Sequence, residues 1–461
     1  MRRLPLLALA AALSACAGPH VETARLDPIA PPAQWRVDAG PTAPLDQAWW
    51  QSFGDPLLTG LVERALANNL DIAVAASRVR DARAQERAAH AALLPTLDAS
   101  ASGTHSRSVG ALGTPSEQWA AQPQLQAGWE LDLFGRLGDQ QSAARSAWLA
   151  SQAARDAVRL SVAATTASGY INLLSLDARL AVVRQTLDAR SATLRLVERR
   201  ADAGYSPRLE LMQARADYEA AAELIPPLEQ AIAQQENALK LLIGELPGPV
   251  ERAASLAALI EPAIPDGLPS ELLRRRPDVA QAEHQLAAAD HSLAAARKRF
   301  LPQIRLTGSA GLALSTLLPD PVRLWSLGGS ILAPLFEGGR LRAGAESAGA
   351  QRDIAAFTYR KTALNAFREV NDALAVVEQT DRQTAIIVRQ RAALAESYRL
   401  ASNRYREGYS PYLDQLDAQR GLLASELSLV QAQASALLAR VTLYQAMGGG
   451  WSADAITAAQ R

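Results

Sequence analysis

The sequence contains few of the residues on which disulfide-bonded proteins, nucleic-acid-binding proteins and helical membrane proteins depend. Its 461 residues include a single cysteine, Cys16, so no disulfide can form within one chain. Basic and acidic residues number 47 each, which leaves no net positive charge for binding phosphates. No internal run of about 18 apolar residues predicts a transmembrane helix. These absences disfavour all three classes of protein.

Residues that carry enzyme chemistry are also sparse. The five histidines are scattered, and only His284 and His291 share a helical face, seven residues apart. That spacing is too long for both to bind one metal ion without other ligands. Gly338-Gly339-Arg340 lacks the lysine of a phosphate-binding loop, and no nucleophile elbow is present. The sequence therefore predicts no catalytic residue, no metal site and no enzyme.

The first residues are typical of an exported lipoprotein. Arg2 and Arg3 precede about nine apolar residues, too few to span a bilayer, and this pattern predicts a signal peptide over 1–15. Leu13-Ser14-Ala15-Cys16 resembles a bacterial lipobox, which makes Cys16 the predicted site of covalent lipid attachment. No other cofactor is expected. Five prolines within 28–44 predict an extended tether, so 16–56 is interpreted as anchor plus tether. The alternative is an incidental or buried cysteine.

The second half of the chain restates the first at an offset of about 204 residues. Leu94-Pro95 matches Leu301-Pro302, and Gly204-Tyr205-Ser206-Pro207 matches Gly408-Tyr409-Ser410-Pro411. These ordered matches predict a duplication. We expect a first repeat over 57–244, a linker over 245–268, a second repeat over 269–447 and a tail over 448–461, each repeat with one helix, two strands and two long helices.

Alternation of apolar and polar residues predicts the strands. In the first repeat a helix is predicted over 57–93, followed by strands over 96–107 and 119–134; the second repeat has strands over 303–314 and 324–336. Four strands are too few to close a barrel, and in lipid every strand edge must be paired. Three subunits would supply twelve strands. The predicted fold is therefore a mixed α/β membrane protein in which the four strands of each chain close into a β-barrel with those of other subunits; a trimeric assembly would make a 12-stranded β-barrel.

Apolar residues spaced seven apart predict the long helices. Over 137–203 the seams include Leu173, Leu180, Leu187 and Leu194, a coiled-coil helix about 100 Å long at 1.5 Å per residue. Similar seams follow Pro207 and recur in the second half, and Pro226-Pro227 predicts a kink. Arginine, glutamate and glutamine fill the positions between the seams. These helices are therefore predicted to continue the barrel as a long periplasmic α-helical barrel.

Several ordered motifs resemble one family. The chain is similar to outer-membrane efflux lipoproteins of the TolC-like (NodT/OprM-type) family over almost the whole mature sequence. The resemblance implies an outer-membrane homotrimer that extends into the periplasm, with an inner-membrane resistance–nodulation–division pump and a periplasmic adaptor protein as partners. The motifs that carry it are Trp49-Trp50, Asp55-Pro56, Trp129-Glu130-Leu131-Asp132-Leu133-Phe134-Gly135-Arg136, Arg276-Pro277-Asp278, Pro334-Leu335-Phe336-Glu337-Gly338-Gly339-Arg340, Leu416-Asp417-Ala418-Gln419-Arg420 and Gly448-Gly449-Gly450-Trp451.

The resemblance also implies two functional regions. The two Gly-Tyr-Ser-Pro turns would be the periplasmic tips that contact the adaptor, although the same residues could serve only to cap and turn a helical hairpin. Beyond the second tip, Leu413, Asp417 and Arg420 would form a periplasmic gate, in which leucine blocks the pore and an Asp–Arg network ties helices together. The alternative is a solvated helix face. The tip residues are Arg200, Gly204, Tyr205, Ser206, Arg404, Gly408, Tyr409 and Ser410.

Two other functions compete with efflux. A lipid-anchored periplasmic adaptor or coiled-coil scaffold would explain Cys16 and the heptads, but not two equivalent pairs of amphipathic strands. Within the channel class, protein secretion competes with small-molecule efflux, and the lipobox together with the Gly-Gly-Gly-Trp end favours efflux.

Overall fold

The computed structural model describes residues 21–25, 27–36, 42–109, 113–253 and 255–451. The predicted signal peptide, Cys16 and residues 452–461 of the predicted tail lie outside the described residues. The chain divides into two compact units. The first comprises residues up to Pro28 with Ser77–Gln152 and Gln281–Lys361; the second comprises Ile29–Ala76, Ala153–Ala280 and the residues from Thr362 onward. Each unit draws on both sequence halves.

The same order of elements, a helix, two strands and a 67-residue helix, occurs twice along the chain. The strands are β1 Thr42–Ala43, β2 Thr96–Val109, β3 Pro115–Leu131, β4 Ile264–Pro265, β5 Gln303–Ser315 and β6 Val322–Leu332. The helices are α1 Pro56–Asn68, α2 Leu70–Ala91, α3 Arg136–Asp202, α4 Arg208–Ala222, α5 Ile225–Leu242, α6 Pro269–Arg275, α7 Pro277–Lys298, α8 Arg340–Arg406 and α9 Tyr412–Ala446.

The prediction of one helix over 57–93 is wrong, because the chain breaks at Asn69. This residue has an extended backbone with ψ of 131°. Its side-chain oxygen accepts hydrogen bonds from the backbone N–H groups of Asp71 and Ile72, at 2.9 and 3.2 Å. An asparagine that satisfies free N–H groups in this way is an N-cap. Asn69 therefore ends α1 and begins α2.

A second interruption separates α4 from α5 where a kink was predicted. Pro226 and Pro227 lie in the first turn of α5. A proline ring has no N–H to donate and clashes with the preceding turn, so the helix that begins after Pro207 cannot run through them without a break. The first hairpin is thus made of three helices, whereas α8 and α9 form the second hairpin alone.

The main sheet is antiparallel in the order β2-β3-β5-β6. The start of β3 and two C-terminal strand ends differ from the prediction; β3 begins at Pro115 and not at residue 119. The strand predicted over 119–134 ends at Leu131, because Asp132 leaves the sheet and caps α3 by accepting from the N–H groups of Leu137 and Gly138, at 3.0 and 2.7 Å. The strand predicted over 324–336 ends at Leu332, shortly before Pro334, which cannot donate to a ladder.

Val21 and Ala24, near the start of the described chain, pack on α7 and α8. Val21 is buried beside Leu293 and Ala345. The carbonyl of Ala24 accepts from Arg352 at 3.0 Å, and its N–H donates to Asp353 at 2.9 Å. Val21 and Ala24 are therefore held against the helices by apolar contact and by hydrogen bonds.

The second unit has an apolar core built on aromatic residues from the predicted tether. Trp49 and Phe53 are buried on a 3₁₀ turn, and the Trp49 ring stacks on Tyr444 with centroids 5.5 Å apart. The tether predicted over 16–56 therefore ends in folded structure. Helix α9 is long and apolar enough to cross a membrane by composition, but its Val430, Leu437, Val441 and Tyr444 belong to this core.

Candidate functional site

The four-stranded sheet has one polar and one apolar face. Serine, threonine and glutamine predominate on the polar face, for example in the row Asp98–Gln126–Ser309–Ser326 across all four strands. Leucine, alanine, isoleucine and tryptophan predominate on the other. Within the described chain, β2 and β6 each have a neighbour on one side only. The sheet thus has two open edges and two chemically different surfaces.

The apolar face has the dimensions of a lipid-facing band. Trp119 and Trp129 lie on this face of β3, ten residues apart, which is about 33 Å along a strand. A strand tilt of about 40° reduces that span to about 25 Å, the height of the apolar band of a transmembrane barrel. Charged residues begin at the turn end of the same face, where His105 and Glu117 pair at 3.0 Å.

Both Gly-Tyr-Ser-Pro segments form the same helix-ending turn. Gly204 and Gly408 have φ of +77° and +80°, which lie in the left-handed region that glycine tolerates. The N–H of Tyr205 donates to the Arg200 carbonyl at 2.7 Å, and the N–H of Tyr409 donates to the Arg404 carbonyl at 2.8 Å. These bonds satisfy carbonyls left free at the helix ends.

The two turns differ in what their side chains contact. Tyr205 and Tyr409 are 85% and 78% exposed. The Arg200 guanidinium lies 5.2 Å from the centroid of the Tyr405 ring and donates to the Arg406 carbonyl at 3.1 Å, so the structure brings the first turn against the second. Arg404 is exposed. Ser206 is half-buried, and the Ser410 hydroxyl is buried without a hydrogen-bond partner among the described residues.

Two tyrosines that the sequence did not single out lie at the base of the second turn. The Tyr405 hydroxyl donates to the Glu210 carboxylate on α4. The Tyr405 ring lies 5.5 Å from that of Tyr412, and both are buried. Burial, followed by the bond to Glu210, raises the pKa of Tyr405, and burial raises the pKa of Tyr412 to about 12. Both hydroxyls therefore stay protonated at neutral pH.

The three predicted gate residues share one exposed face of α9. Leu413 is 51% exposed, Asp417 is exposed, and the Arg420 side chain is 55% exposed. Leu416 and Gln419, which lie between them in sequence, are buried. No ion pair within 4 Å joins Asp417 to Arg420 in the part of the chain that the structure describes. Arg420 instead binds Asp217 on α4, with Nε 3.2 Å from Oδ1.

Arg420 joins a buried ion pair that sequence reasoning missed. Arg190 on α3 pairs with Asp217 at 3.1 Å and donates to its carbonyl at 2.6 Å, and the two side chains are 5% and 2% exposed. Burial lowers the pKa of Arg190 although Asp217 opposes that shift. A signal was available, because 190 occupies the seven-residue spacing of Leu176, Val183 and Val197. An arginine at a seam position predicts a buried charge that requires a partner.

Side chains that could together bind a metal ion are not grouped in the described part of the chain. Among the described residues, no group of three or more histidine, cysteine, aspartate or glutamate side chains has a suitable arrangement. What the arrangement provides is exposed aromatic turns, a polar sheet face and helices joined by polar contacts.

Comparison with known proteins gives consistent results. The family model described as outer membrane efflux protein matches residues 61–245 and again 268–449. The chain is 37% identical to a toluene efflux pump outer membrane protein, TtgI, of Pseudomonas putida over 412 residues, which cover 87% of each protein. It is 35% identical to outer membrane protein OprJ of Pseudomonas aeruginosa over 430 residues, covering 89% of this chain and 88% of OprJ.

Solved structures have the same fold. The outer-membrane channel OprN superposes with a TM-score of 0.85 at 29% identity, covering 95% of this chain and 99% of OprN. The open state of the MtrE outer membrane channel of Neisseria gonorrhoeae gives a TM-score of 0.82 at 31% identity, covering 94% and 98%.

Proposed function

Because the chain belongs to the outer membrane efflux protein family, and is an outer-membrane channel protein of an efflux system and not an enzyme, we propose that three copies form one conduit. Each copy contributes four strands to a twelve-stranded barrel, and its long helices continue the barrel into the periplasm. The two matches of the family model support an origin by duplication. The relatives' names support small-molecule cargo over secreted proteins.

The observation that carries this proposal is the two-faced sheet with open edges. In lipid an unpaired strand edge costs several kcal/mol per lost hydrogen bond, so a four-stranded sheet is stable there only if it closes with other copies. Three-fold closure pairs β6 of one copy with β2 of the next. The polar face then lines water and the apolar face meets lipid.

Extraction from outer membranes tests the assembly. We expect a trimer by mass that conducts ions in planar bilayers. A monomer that detaches when its acyl group is removed would contradict the proposal and support the alternative of a lipid-anchored scaffold.

Cys16 is proposed as the lipid attachment site. The sequence supports this, because Leu13-Ser14-Ala15-Cys16 resembles a bacterial lipobox. Growth with a labelled fatty acid should label the wild-type protein, and Cys16→Ala should remove the label. Label retained in that variant would place the lipid elsewhere.

The two tips are proposed to bind the periplasmic adaptor of a resistance–nodulation–division pump. Their exposed tyrosines and their mutual contact support this, since aromatic residues are enriched at protein interfaces. A photo-crosslinking residue at Tyr205 or Tyr409 should capture the adaptor in vivo. The same residue at Arg87, exposed on α2, is the control. Equal capture from all three positions would contradict a tip-specific contact.

The exposed face of α9 beyond the second tip is proposed as the gate. Leu413 blocks the pore, while Arg420 holds the base of α9 through Asp217. Leu413→Ala with Asp417→Ala should raise single-channel conductance. The matched control is Leu209→Ala with Gln213→Ala, the corresponding positions after the first tip, and it should leave conductance unchanged. An unaltered conductance in the first variant would refute the assignment.

A further inference from the structure

The polar face of the sheet carries three charged residues, all close to the helix-connected end. They are Asp98 on β2, Glu130 on β3 and Arg305 on β5, as the strand registers place them. Two carboxylates and one guanidinium give a net charge of −1. Beyond Asp98, every other position on this face of β2 is serine or threonine. The charge of the whole surface therefore depends on which of the three is neutralised.

Glu130 has two cationic neighbours. It lies directly opposite Arg305 in the β3–β5 register. Its carboxylate also forms an ion pair with Arg136 at the start of α3, with Nη2 and Oε1 2.5 Å apart. Opposite charges that face each other across a strand pair attract and offset one another. Glu130 and Arg305 therefore contribute little net charge to this face.

Asp98 has no such neighbour. Its cross-strand partner is Gln126, and the row continues through Ser309 and Ser326, whose hydroxyls hydrogen-bond to each other at 2.9 Å. Asp98 is exposed, and it forms no ion pair or hydrogen bond within the described part of the chain. Among the charged residues of this face, Asp98 is thus the one that neither pairs with an opposite charge nor faces one across a strand.

We propose that Asp98 determines the ion preference of the sheet segment of the conduit, making it favour cations. This proposal rests on the trimeric closure proposed above, which places three Asp98 carboxylates at one level of the pore, in a row whose other members, Gln126, Ser309 and Ser326, are uncharged. Rings of acidic side chains select cations because they raise the local cation concentration. The field extends about 10 Å at 0.1 M salt, so permeant ions pass within its range.

Reversal potentials in a salt gradient test the proposal. Asp98→Asn should lower the cation-to-anion permeability ratio about two-fold, a value expected for three screened unit charges about 10 Å from the pore axis. Ser100→Asp adds a carboxylate two residues further along the same face and should raise the ratio. Asp81→Asn removes the same charge from α2, outside the sheet, and should leave the ratio unchanged.

Measurement in wild-type and Asp417→Ala backgrounds separates Asp98 from the exposed carboxylate proposed for the gate. An unchanged ratio in Asp98→Asn would overturn the proposal. If that variant fails to assemble, an unchanged ratio in Ser100→Asp overturns it instead. Asp98→Cys should also lose current to a water-soluble cationic thiol reagent, and a current that the reagent does not alter would place the residue off the pore.

Failure of this proposal is distinct from failure of the trimeric conduit. Loss of the conduit would appear as a wild-type protein without a trimer or without any conductance. Failure of the Asp98 assignment would appear as a conducting trimer whose ion preference does not respond to residues 98 and 100.

Discussion

The two Gly-Tyr-Ser-Pro turns share sequence and backbone geometry but differ in the residues that hold them. Their glycines have φ of +77° and +80°, and each turn ends its helix with the same hydrogen bond to an arginine carbonyl. The residue three positions before the glycine is Ala201 in the first turn and Tyr405 in the second. The backbone was therefore retained while the surrounding contacts diverged.

The two hairpins differ most in the side chains that join their helices at a distance from the turns. In the first hairpin Arg190 and Asp217 form a buried ion pair. The residues 204 positions later are Leu394 and Gly421, where a Cβ added to the glycine would lie 3.3 Å from a Leu394 methyl carbon. The same place is thus held by charge in one hairpin and by apolar contact in the other.

As a result, the two hairpins contribute different chemical groups to the contacts between them. Asp217 binds Arg190 within its own hairpin and also accepts from Arg420 at the base of α9. Tyr405 adds a second contact, to Glu210 on α4. The apolar pair in the second hairpin has no charge to offer the first. The first hairpin therefore supplies both anionic groups of these contacts, and Asp217 is the one that holds α9, the helix proposed to carry the gate.

The largest expected effect comes from removing the shared carboxylate. Asp217→Ala leaves Arg190 buried without a counter-ion, which we expect to lower the free energy of unfolding by about 3–5 kcal/mol. Chemical denaturation in detergent, followed by circular dichroism, measures it. Arg190→Leu with Asp217→Ala gives the first hairpin an apolar pair like that of the second and should recover most of the loss. A double variant as unstable as Asp217→Ala would show that the charges are not what matters.

The contact between Tyr405 and Glu210 should have the next largest effect. Tyr405→Phe keeps the buried ring and removes a hydrogen bond to a carboxylate, a loss of about 1.5–3 kcal/mol in the free energy of unfolding. The matched control is Tyr409→Phe, because that hydroxyl is on an exposed side chain. Similar losses in both variants would indicate that the contact does not stabilise the tip.

The sequence was sufficient for the long helices because their signals are local. The helix predicted over 137–203 spans Arg136–Asp202, since the seam of Leu173, Leu180, Leu187 and Leu194 continues until a glycine and a proline end the helix. Strand ends and the break at Asn69 were less accessible. Asparagine is a common N-cap but also occurs inside helices, so the role of Asn69 becomes clear only when its side chain is seen to cap α2.

For the proposed gate, the sequence predicted which residues share a helix face but not which residues they bind. Leu413, Asp417 and Arg420 share an exposed face as their spacing indicated, but Arg420 binds Asp217, 203 residues earlier, and not Asp417. Such a pairing depends on how two hairpins meet. A search for apolar seams also passes over Arg190, because a charged residue at a seam position is discarded as an interruption.

The shared turn geometry predicts equal effects at the two glycines. Gly204→Ala and Gly408→Ala each force alanine into the left-handed region, which costs about 1 kcal/mol of unfolding free energy. Gly60→Ala in α1, where nothing lies within 4 Å of the added methyl group, should instead be stabilising. A much larger loss at Gly408 than at Gly204 would mean that the turns are not equivalent even in their backbones.

The smallest expected effect on stability is that of Arg420→Ala. The Arg420 side chain is 55% exposed, so its ion pair with Asp217 contributes about 0.5 kcal/mol, and removing it leaves Asp217 paired with Arg190. Asp417→Ala, on the same exposed face, is the control and should change stability less. Because the Arg420 side chain links α9 to Asp217, we expect Arg420→Ala to raise channel conductance despite this small energetic cost. A loss of stability as large as that of Asp217→Ala would contradict this expectation. The contact between the hairpins, and not the Arg190–Asp217 pair within the first hairpin, would then be the main source of stability.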